Sequence, residues 1–234
     1  MAELLTSVVL PVHNQADHLD EVVGAYLAEL DRHDRPYELV LALNACRDRS
    51  AEVAAGLAEK RPEVRWLELA EGGWGRAVRA GLAEARGDLL CYTNSARTAP
   101  PMLTLMLVYA TAYPKVVLKA NRTIRDSWQR RFGSLLFNLE CRALFNLETM
   151  DVNGTPKVFP RSFSKLLELT RNDDLIDVEF MDVCRREGYP LIEVPILATV
   201  RHGGESTTSY RSAFGMYLGA YRLARESRNG GSGS

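Results

Sequence analysis

The sequence lacks the spacing of cysteine and histidine that a structural zinc site requires. The cysteines form no C-x-x-C pair and have no histidine nearby; they are Cys46, Cys91, Cys141 and Cys184. The same wide spacing argues against a disulfide scaffold. We therefore expect reduced thiols in a cytoplasmic protein.

Long apolar runs are also missing. The longest, at residues 103–113, contains threonines and stops at Pro114 and Lys115. A membrane-spanning helix needs roughly 20 apolar residues, so we expect none in this sequence. Glu3 interrupts a very short apolar start, and we therefore expect no signal peptide.

Neither sign of charge dominates the sequence. The 29 basic and 30 acidic side chains give a net charge of −1, which provides no global case for nucleic-acid binding. With 234 residues and 46% hydrophobic content, the chain is long enough to bury a full core. We expect a single domain over residues 1–228, followed by a Gly/Ser linker at residues 229–234.

Apolar runs alternate with helical patterns, which predicts an α/β fold. In the first half, we predict strands at 6–13, 37–43, 64–69 and 88–93, and helices at 17–31, 50–60 and 76–85. This βαβαβαβ order predicts a parallel, doubly wound sheet. In the second half, we predict a helix from residue 102, strands at 115–119, 158–159 and 191–200, and helices at 126–147, 161–170, 176–187 and 211–226.

The stretch at residues 87–101 is the centre of this pattern. Residues 89–92 are short and apolar enough for a buried strand, and polar residues 94–97 follow before a proline pair opens a helix. In open α/β sheets, ligands bind at the carboxyl ends of the strands. We therefore expect the rest of the chain to bring a ligand to residues 94–97.

Seven blocks of the sequence resemble a known family in order and approximate spacing. They are SVVLPVHNQADHLDEVV from Ser7, ELVLALNACRDRSAEVA from Glu38, GGWGRAVRAGLAEARGDLLCYTNSARTAPPML from Gly72, ANRTIRD from Ala120, DVNGTPKVFPRSF from Asp151, DVEFMDVCRREGYPLIEVPI from Asp177 and RHGGES from Arg201. Together they resemble the family 2 inverting glycosyltransferases, which have the GT-A fold. Within that family they most resemble the polyprenol-phosphate branch, which is similar to dolichol-phosphate-mannose synthase. The resemblance covers about residues 5–210.

The resemblance implies a Rossmann-like, mixed but mainly parallel sheet flanked by helices. It implies a nucleotide-binding half at residues 1–100 and an acceptor half at residues 101–228. The implied reaction is inverting transfer of a sugar from a nucleoside diphosphate sugar to a polyprenyl phosphate, while a soluble acceptor stays open. The apolar side of the last helix suits the core, a homodimer contact or peripheral contact with the inner membrane face.

The sequence departs from the family at its metal motif. Counted back from the proline pair, the two aspartates of D-x-D fall on Asn94 and Ala96, and an earlier aspartate pair falls on Leu43 and Asn44. In that motif two hard oxygen anions hold a divalent ion. Asn94 is the only candidate ligand at these positions, so we do not expect Mg²⁺ or Mn²⁺ in the usual mode.

Three interpretations follow from this departure. In the first, the enzyme works without a metal, and Arg97 or the arginines after Asn121 neutralise the donor diphosphate. In the second, the chain is a catalytically inactive relative that binds a nucleotide or a lipid phosphate. In the third, the sequence is an altered form of an ordinary enzyme.

The resemblance also places donor contacts at the ends of the first, second and fourth strands and at a glycine turn. These residues are Pro11, His13, Asn14, Asn44, Asp48, Gly75, Asn94, Ser95 and Arg97. Simpler roles compete at several positions. Asp48 also suits a turn cap, and the residues after Pro11 suit a loop and a helix cap.

On the acceptor side, the resemblance assigns phosphate binding to Arg122, Arg131, Arg201, His202 and Ser206. The candidate catalytic residues are Asp177, Glu179 and Arg122. Transfer to an alcohol needs a base, whereas a phosphate acceptor is already an anion. Asp177 and Glu179 are two residues apart on a predicted helix, so only one of them can face the site. A solvated basic face is the simpler interpretation of the arginines.

Overall fold

The computed structural model describes residues 4–33, 35–94, 98–124, 128–197 and 210–230. The strands are β1 (Thr6–Val12), β2 (Tyr37–Asn44), β3 (Val64–Leu69), β4 (Leu89–Tyr92), β5 (Val117–Ile124), β6 (Lys157–Pro160) and β7 (Leu191–Leu197). The helices are α1 (Leu19–Leu30), α2 (Ser50–Lys60), α3 (Trp74–Glu84), α4 (Pro100–Ala112), α5 (Trp128–Phe145), α6 (Ile176–Arg186) and α7 (Tyr210–Gly230). Within these ranges, no helix is both long enough and apolar enough to span a membrane.

One mixed, mainly parallel sheet holds all seven strands in the order β3-β2-β1-β4-β6-β5-β7. The first four strands pair in parallel, as the alternating pattern predicts. Strand β6 runs antiparallel to both β4 and β5, and β7 is parallel to β5. The predicted α/β class with a mixed, mainly parallel sheet is therefore confirmed.

Helices cover both faces of the sheet and divide its core into two layers. Val8 and Leu10 of β1 pack with residues of α1, α2 and α4. Val9, between them, packs on the opposite face with residues of α3, α5, α6 and α7. Successive side chains of a strand point to opposite faces. A strand buried on both faces therefore reads as a continuous apolar run, as β1 does.

The second half differs from the predicted elements in extent. Strand β5 continues to Ile124, beyond the predicted end at residue 119, because residues 121–124 pair with β7 across a register shift. The polar side chains of residues 121–123 conceal the strand in the sequence. The predicted helix at residues 161–170 is wrong, since only a 3₁₀ turn forms at Ser164–Leu167. Helix α7 ends at Gly230, two residues beyond the predicted domain end.

Glycine allows α3 to pack closely on the central strand. A Cβ atom on Gly81 would lie 2.3 Å from Cγ1 of Val9, which is itself fully buried. In contrast, a Cβ atom on Gly56 of α2 would meet no atom within 4 Å. Both glycines are helical, but an added methyl group would clash only at Gly81. The two positions therefore form a matched pair for substitution by alanine.

We expect Gly81→Ala to lower the free energy of unfolding by about 1–3 kcal/mol, because the added methyl forces α3 away from β1. Gly56→Ala should raise it by about 0.5–1 kcal/mol, since alanine favours the helix where there is space. Urea denaturation of both variants measures the difference. Equal effects of the two substitutions would contradict the close packing of α3 on β1.

Candidate functional site

The candidate site lies at the carboxyl ends of β1, β2 and β4. Strand β1 is the central strand, with β2 on one side and β4 on the other. The chain winds outward from β1 to β3 and then returns to β4, so the strand order reverses between β1 and β4. Such a switch point opens a crevice in which α/β proteins bind ligands. Of the predicted donor residues, Pro11 lies within β1 and Asn44 ends β2, whereas His13, Asn14, Asp48 and Asn94 follow these strands.

Side chains tie the loops after β1 and β2 together. Nδ1 of His13 lies 2.6 Å from the carbonyl oxygen of Asn44. A carbonyl only accepts, so Nδ1 carries the proton and Nε2 is left to accept from the Asn14 amide, 3.4 Å away. Asn14 Oδ1 in turn accepts from the backbone N–H of Arg47 at 2.8 Å. These contacts preorganise the two loops.

The Asp48 carboxylate accepts hydrogen bonds from the segments that follow β1 and β2. One carboxylate oxygen accepts from the backbone N–H of Ala16 at 2.9 Å, and the other accepts from the backbone N–H and hydroxyl of Ser50 at 3.1 and 2.6 Å. These hydrogen bonds lower the pKa of Asp48, although burial opposes them. The geometry is that of the turn cap that the sequence allows as the simpler role, and it leaves the predicted nucleotide contact untested.

The glycine turn before α3 packs against another loop of the protein. The Gly73 N–H donates to Asn44 Oδ1 at 2.8 Å, and the Arg76 N–H donates to the Asn172 carbonyl at 3.0 Å. A Cβ atom on Gly75 would lie 2.4 Å from the Arg171 carbonyl. Backbone carbonyls therefore occupy part of the helix start, where the sequence suggests an anion. Gly75 permits the close approach of the two loops.

A short network of hydrogen bonds joins the two described ends of the loop after β4. The Thr98 N–H donates to the Asn94 carbonyl at 3.0 Å, and the Thr93 hydroxyl donates to the Thr98 hydroxyl at 2.8 Å. The buried Tyr26 hydroxyl of α1 donates to the Thr98 carbonyl at 2.9 Å. Asn94, near the start of this loop, is half-buried. The predicted donor residues Ser95 and Arg97 lie outside the described residues.

A buried ionic cluster lies at the end of β4, around the Asp177 carboxylate. Asp177, in the first turn of α6, accepts from the Tyr92 hydroxyl at 2.8 Å and from Trp74 Nε1 at 3.2 Å. The Lys157 ammonium forms an ion pair with the same carboxylate. The lysine is fully buried and the aspartate nearly so. The cluster therefore joins β4, α3, β6 and α6 at one point.

Lys157 is also enclosed by aromatic rings. Its Nζ lies 5.4 Å from the ring centroid of Tyr92 and 5.7 Å from that of Phe180, within cation–π distance. Burial lowers the pKa of Lys157, while Asp177 opposes this shift. Burial and the neighbouring carboxylate both raise the pKa of Tyr92. Tyr92 therefore stays a neutral donor to Asp177.

The other candidate base, Glu179, points elsewhere. Its carboxylate accepts from the backbone N–H of Thr170 at 2.9 Å, from the Thr170 hydroxyl at 2.7 Å and from the backbone N–H of Arg171 at 2.8 Å. Glu179 therefore holds the loop before α6, while Asp177 faces the end of β4.

Arg122 on β5 forms a bidentate ion pair with Asp151. Its Nε and Nη2 donate to the two carboxylate oxygens at 2.7 and 2.8 Å, and its backbone N–H donates to the same group at 3.1 Å. The Arg122 side chain is 21% exposed, whereas that of Asp151 is 3% exposed. Asp151 accepts two of the five guanidinium N–H groups and thereby orients the others.

The remaining predicted acceptor residues are not placed by the structure. Arg201, His202 and Ser206 lie outside the described residues, and the side chain of Arg131 is not described either. Their predicted roles therefore stay predictions.

Lys119, also on β5, forms the third buried ion pair of this region. Its Nζ lies 2.7 Å from a carboxylate oxygen of Glu193 on β7 and donates to the backbone carbonyl of Asp151. Glu193 also accepts from the Thr149 hydroxyl and from the backbone N–H of Met150. Burial lowers the pKa of Lys119 to about 8, although the neighbouring carboxylate opposes the shift.

The residues at the metal-motif positions do not fit the divalent ion of the family. Asn94 offers a neutral amide oxygen, and Ala96 offers no ligand atom. Among the described residues, no group of three or more His, Cys, Asp or Glu side chains is arranged to hold a metal ion. The usual arrangement, a divalent ion held by two carboxylates, therefore finds no counterpart in the described part of the site.

The sequence pattern did not single out the buried lysines and their aromatic partners. Lys119 and Lys157 each stand within an apolar strand pattern. A lysine in such a strand is almost never fully buried unless it is paired, which is the signal that could have identified both residues. Trp74 and Tyr92 carry no comparable signal, because aromatic side chains on a helix or strand usually belong to the core.

Comparisons with known proteins agree with this architecture. Residues 7–167 match the family described as "Glycosyl transferase family 2". An undecaprenyl-phosphate 4-deoxy-4-formamido-L-arabinose transferase from Edwardsiella ictaluri is 30% identical over 205 residues, which cover 86% of this chain and 62% of the relative. The transferase of the same name from Pseudomonas aeruginosa is 29% identical over 197 residues, covering 83% of this chain and 53% of the relative. The chain thus spans little more than half the length of these relatives.

The fold is shared with a solved enzyme structure. Glucosyl-3-phosphoglycerate synthase from Mycobacterium tuberculosis, crystallised with Mn²⁺, UDP and glucosyl-3-phosphoglycerate, superposes with a TM-score of 0.70. The alignment covers 97% of this chain and 80% of that chain at 17% sequence identity. This likeness shows a common GT-A fold.

We expect Lys157→Met to lower the free energy of unfolding by about 3–5 kcal/mol, because it leaves Asp177 buried without its counter-charge. The double variant Lys157→Met/Asp177→Asn should cost less than the sum of the two single changes. Urea denaturation of the three variants measures the coupling. The exposed Lys165, paired with Glu168, provides the control, and Lys165→Met should have no measurable effect. Additive costs at positions 157 and 177 would show that the pair is not coupled.

Lys119 makes stability depend on pH in the alkaline range. Its pKa is about 8 in the folded chain and 10.5 ordinarily, so between these values the unfolded chain binds the proton that the folded chain has released. The free energy of unfolding should therefore rise with pH across this window, by up to about 3 kcal/mol. Comparison with Lys119→Met at each pH isolates the effect, because that variant lacks the titrating group. A wild-type curve parallel to that of the variant would refute the lowered pKa.

Proposed function

This chain belongs to glycosyl transferase family 2, and we propose that it transfers a sugar from a nucleoside diphosphate sugar to a polyprenyl phosphate. The transfer inverts the configuration at the anomeric carbon, as a single displacement by the acceptor requires. The relatives from Edwardsiella ictaluri and Pseudomonas aeruginosa are named for an undecaprenyl-phosphate acceptor. These names support a lipid phosphate as the acceptor of this chain.

The observation that carries the proposal is that the Asp177 carboxylate is already occupied by hydrogen bonds and an ion pair. A general base must accept the proton of the attacking hydroxyl, and Asp177 is the candidate base that faces the end of β4. Its two carboxylate oxygens already accept from three donors and neutralise a buried lysine. A phosphate acceptor is an anion at neutral pH and attacks without a base. The cluster therefore favours a phosphate over an alcohol.

Three other carboxylates of this region, Asp151, Glu193 and Glu179, are engaged in the same way. Asp151 is held by Arg122, Glu193 by Lys119, and Glu179 by the backbone of the loop before α6. We assign these groups to positioning. Arg122 is the partly exposed cation among them, and its remaining N–H groups suit a phosphate oxygen of the acceptor or donor.

The donor would bind across the loops after β1, β2 and β4. His13, Asn14, Asn44 and Asp48 cross-link the first two of these loops and hold their backbone groups in place. Preorganised backbone and amide groups suit the base and ribose of a nucleotide. Asn94, at the mouth of the third loop, is the candidate contact to the diphosphate. Because the metal-motif residues do not fit a divalent ion, we propose that arginine side chains neutralise the diphosphate.

Transfer assays with two acceptors test the proposal directly. Purified protein is incubated with radiolabelled UDP- and GDP-linked sugars and with either undecaprenyl phosphate or undecaprenol, in EDTA and again in Mn²⁺. We expect a labelled glycolipid from the phosphate only, and we expect it to form in EDTA. Product from undecaprenol would indicate a working base and contradict the role given to Asp177. A strict need for Mn²⁺ would contradict the metal-free site.

Arg122→Lys should lower kcat/KM for the lipid phosphate by roughly ten- to hundredfold, since a hydrogen bond to a charged group contributes about 1.5–3 kcal/mol. Arg32→Gln provides the matched control, because Arg32, just after α1, is exposed and pairs with Glu29 of that helix. Thermal unfolding of both variants checks that the fold is intact. If neither nucleotide binds in calorimetry and no product forms, the catalytically inactive interpretation replaces the proposal.

A further inference from the structure

A row of buried polar side chains crosses the mixed half of the sheet. In the strand register, Lys157 of β6 lies opposite Tyr92 of β4 on one side and opposite Lys119 of β5 on the other. Lys119 in turn lies opposite Glu193 of β7. Residues opposite each other on neighbouring strands share one face of the sheet, and like charges there are destabilising. Both lysine side chains are fully buried, so each ammonium needs a carboxylate of its own.

Lys119 occupies a position that an apolar side chain would suit. Its neighbours Leu118 and Ala120 are buried in the core, and so is Val117, which points to the same face of the strand as Lys119. A buried ion pair incurs a desolvation cost that a well-packed apolar pair does not, so it adds little to stability. The hydrogen bonds of Lys119 and Glu193 are what an apolar pair could not reproduce.

Those hydrogen bonds hold a short segment of the chain in place. Lys119 Nζ donates to the backbone carbonyl of Asp151. The Glu193 carboxylate accepts from the Thr149 hydroxyl, and it accepts from the backbone N–H of Met150 at 3.1 Å. These three consecutive residues, which we call the held segment, connect α5 to β6. The buried ion pair therefore ties the held segment to β5 and β7.

The held segment ends at Asp151, whose carboxylate orients Arg122. The bidentate ion pair holds Nε and Nη2 of the guanidinium, while the Arg122 side chain stays 21% exposed. Because a guanidinium is planar and rigid, holding two of its nitrogens also sets the directions of its remaining N–H groups. Lys119 thus contacts the main chain of Asp151, and Arg122 contacts its side chain. Asp151 therefore links the buried lysine to the exposed arginine.

We propose that Lys119 is a positioning residue for the phosphate-binding guanidinium of Arg122. Lys119 and Glu193 hold the segment, the segment places the Asp151 carboxylate, and that carboxylate orients the N–H groups of Arg122 toward a phosphate oxygen. The Lys119 ammonium does not itself contact the ligand, because it is fully buried and bonded to protein groups. Phosphate binding at Arg122 rests on the proposed function, whereas the link from Lys119 to Arg122 does not.

A double-mutant cycle distinguishes positioning from a merely structural role. Lys119→Met should lower kcat/KM for undecaprenyl phosphate about tenfold, because Arg122 loses its fixed orientation. In the Arg122→Lys background the same change should lower kcat/KM less than about twofold, since the group through which Lys119 acts is already gone. Equal factors in the two backgrounds would overturn the inference.

The orientation of Arg122 can also be measured without any substrate. In nitrogen-15 NMR spectra of the whole chain, the Arg122 Nε–H signal is assigned by its loss in Arg122→Lys. We expect this proton to exchange slowly with water, because it is bonded to Asp151. Exchange should be at least about tenfold faster in Lys119→Met, since the ion pair opens more often. An unchanged exchange rate would refute the link even if activity fell.

Two further variants separate positioning from loss of stability. Lys119→Met/Glu193→Gln leaves no unpaired buried carboxylate, so it should fold more stably than Lys119→Met and still show faster Arg122 exchange. Leu57→Ala is the control, because Leu57 of α2 is buried in the core layer on the other face of the sheet. It should destabilise the chain and leave Arg122 exchange unchanged.

The control also decides how a positive result is interpreted. Equally fast exchange in Leu57→Ala would assign the effect to stability alone and overturn the inference. Faster exchange in Lys119→Met, in a chain that transfers no sugar, would sustain the link from Lys119 to Arg122 while the proposed activity failed.

Discussion

The buried ion pair of Lys157 and Asp177 is the constraint on which the candidate site depends. It joins β6 to α6, and Asp177 also accepts from Tyr92 of β4 and Trp74 of α3. Removing two charges from water costs several kcal/mol per ion, and their attraction offsets this only when the remaining hydrogen-bonding capacity is also satisfied. Tyr92 and Trp74 donate the hydrogen bonds that satisfy the remaining capacity of Asp177. The positions of four elements around the end of β4 are therefore linked.

Two further ion pairs repeat this arrangement on the neighbouring strands. Lys119 of β5 pairs with Glu193 of β7, and Arg122 of β5 pairs with Asp151. Each pairs a carboxylate with a cation, so Glu193 and Asp151 serve the fold. An acceptor that carries its own negative charge needs no base from them. The same arrangement that holds the mixed edge of the sheet thus favours a phosphate acceptor.

The sequence predicts the parallel half of the fold well and the ionic interior poorly. Strand β1 is buried on both faces, so its continuous apolar run identifies it. Residues 121–124 belong to β5, but the polar side chains at 121–123 hide the strand. Pairing with β7, rather than the local pattern, forms it. The contact of Asn14 with Arg47 joins residues 33 apart. Such cross-links depend on how β1 and β2 pair and have no local signal.

Electrostatics allow the donor site to be retained even though the metal motif is altered. A divalent cation held by two aspartates has a net charge near zero, so the family motif adds little net charge while it binds the diphosphate. Losing the metal but keeping both aspartates would leave two negative charges facing an anionic donor. With Asn94 and Ala96 at these positions, both carboxylates are absent and that repulsion does not arise. In the proposed metal-free site, arginine charge would bind the diphosphate without an acidic pair to overcome.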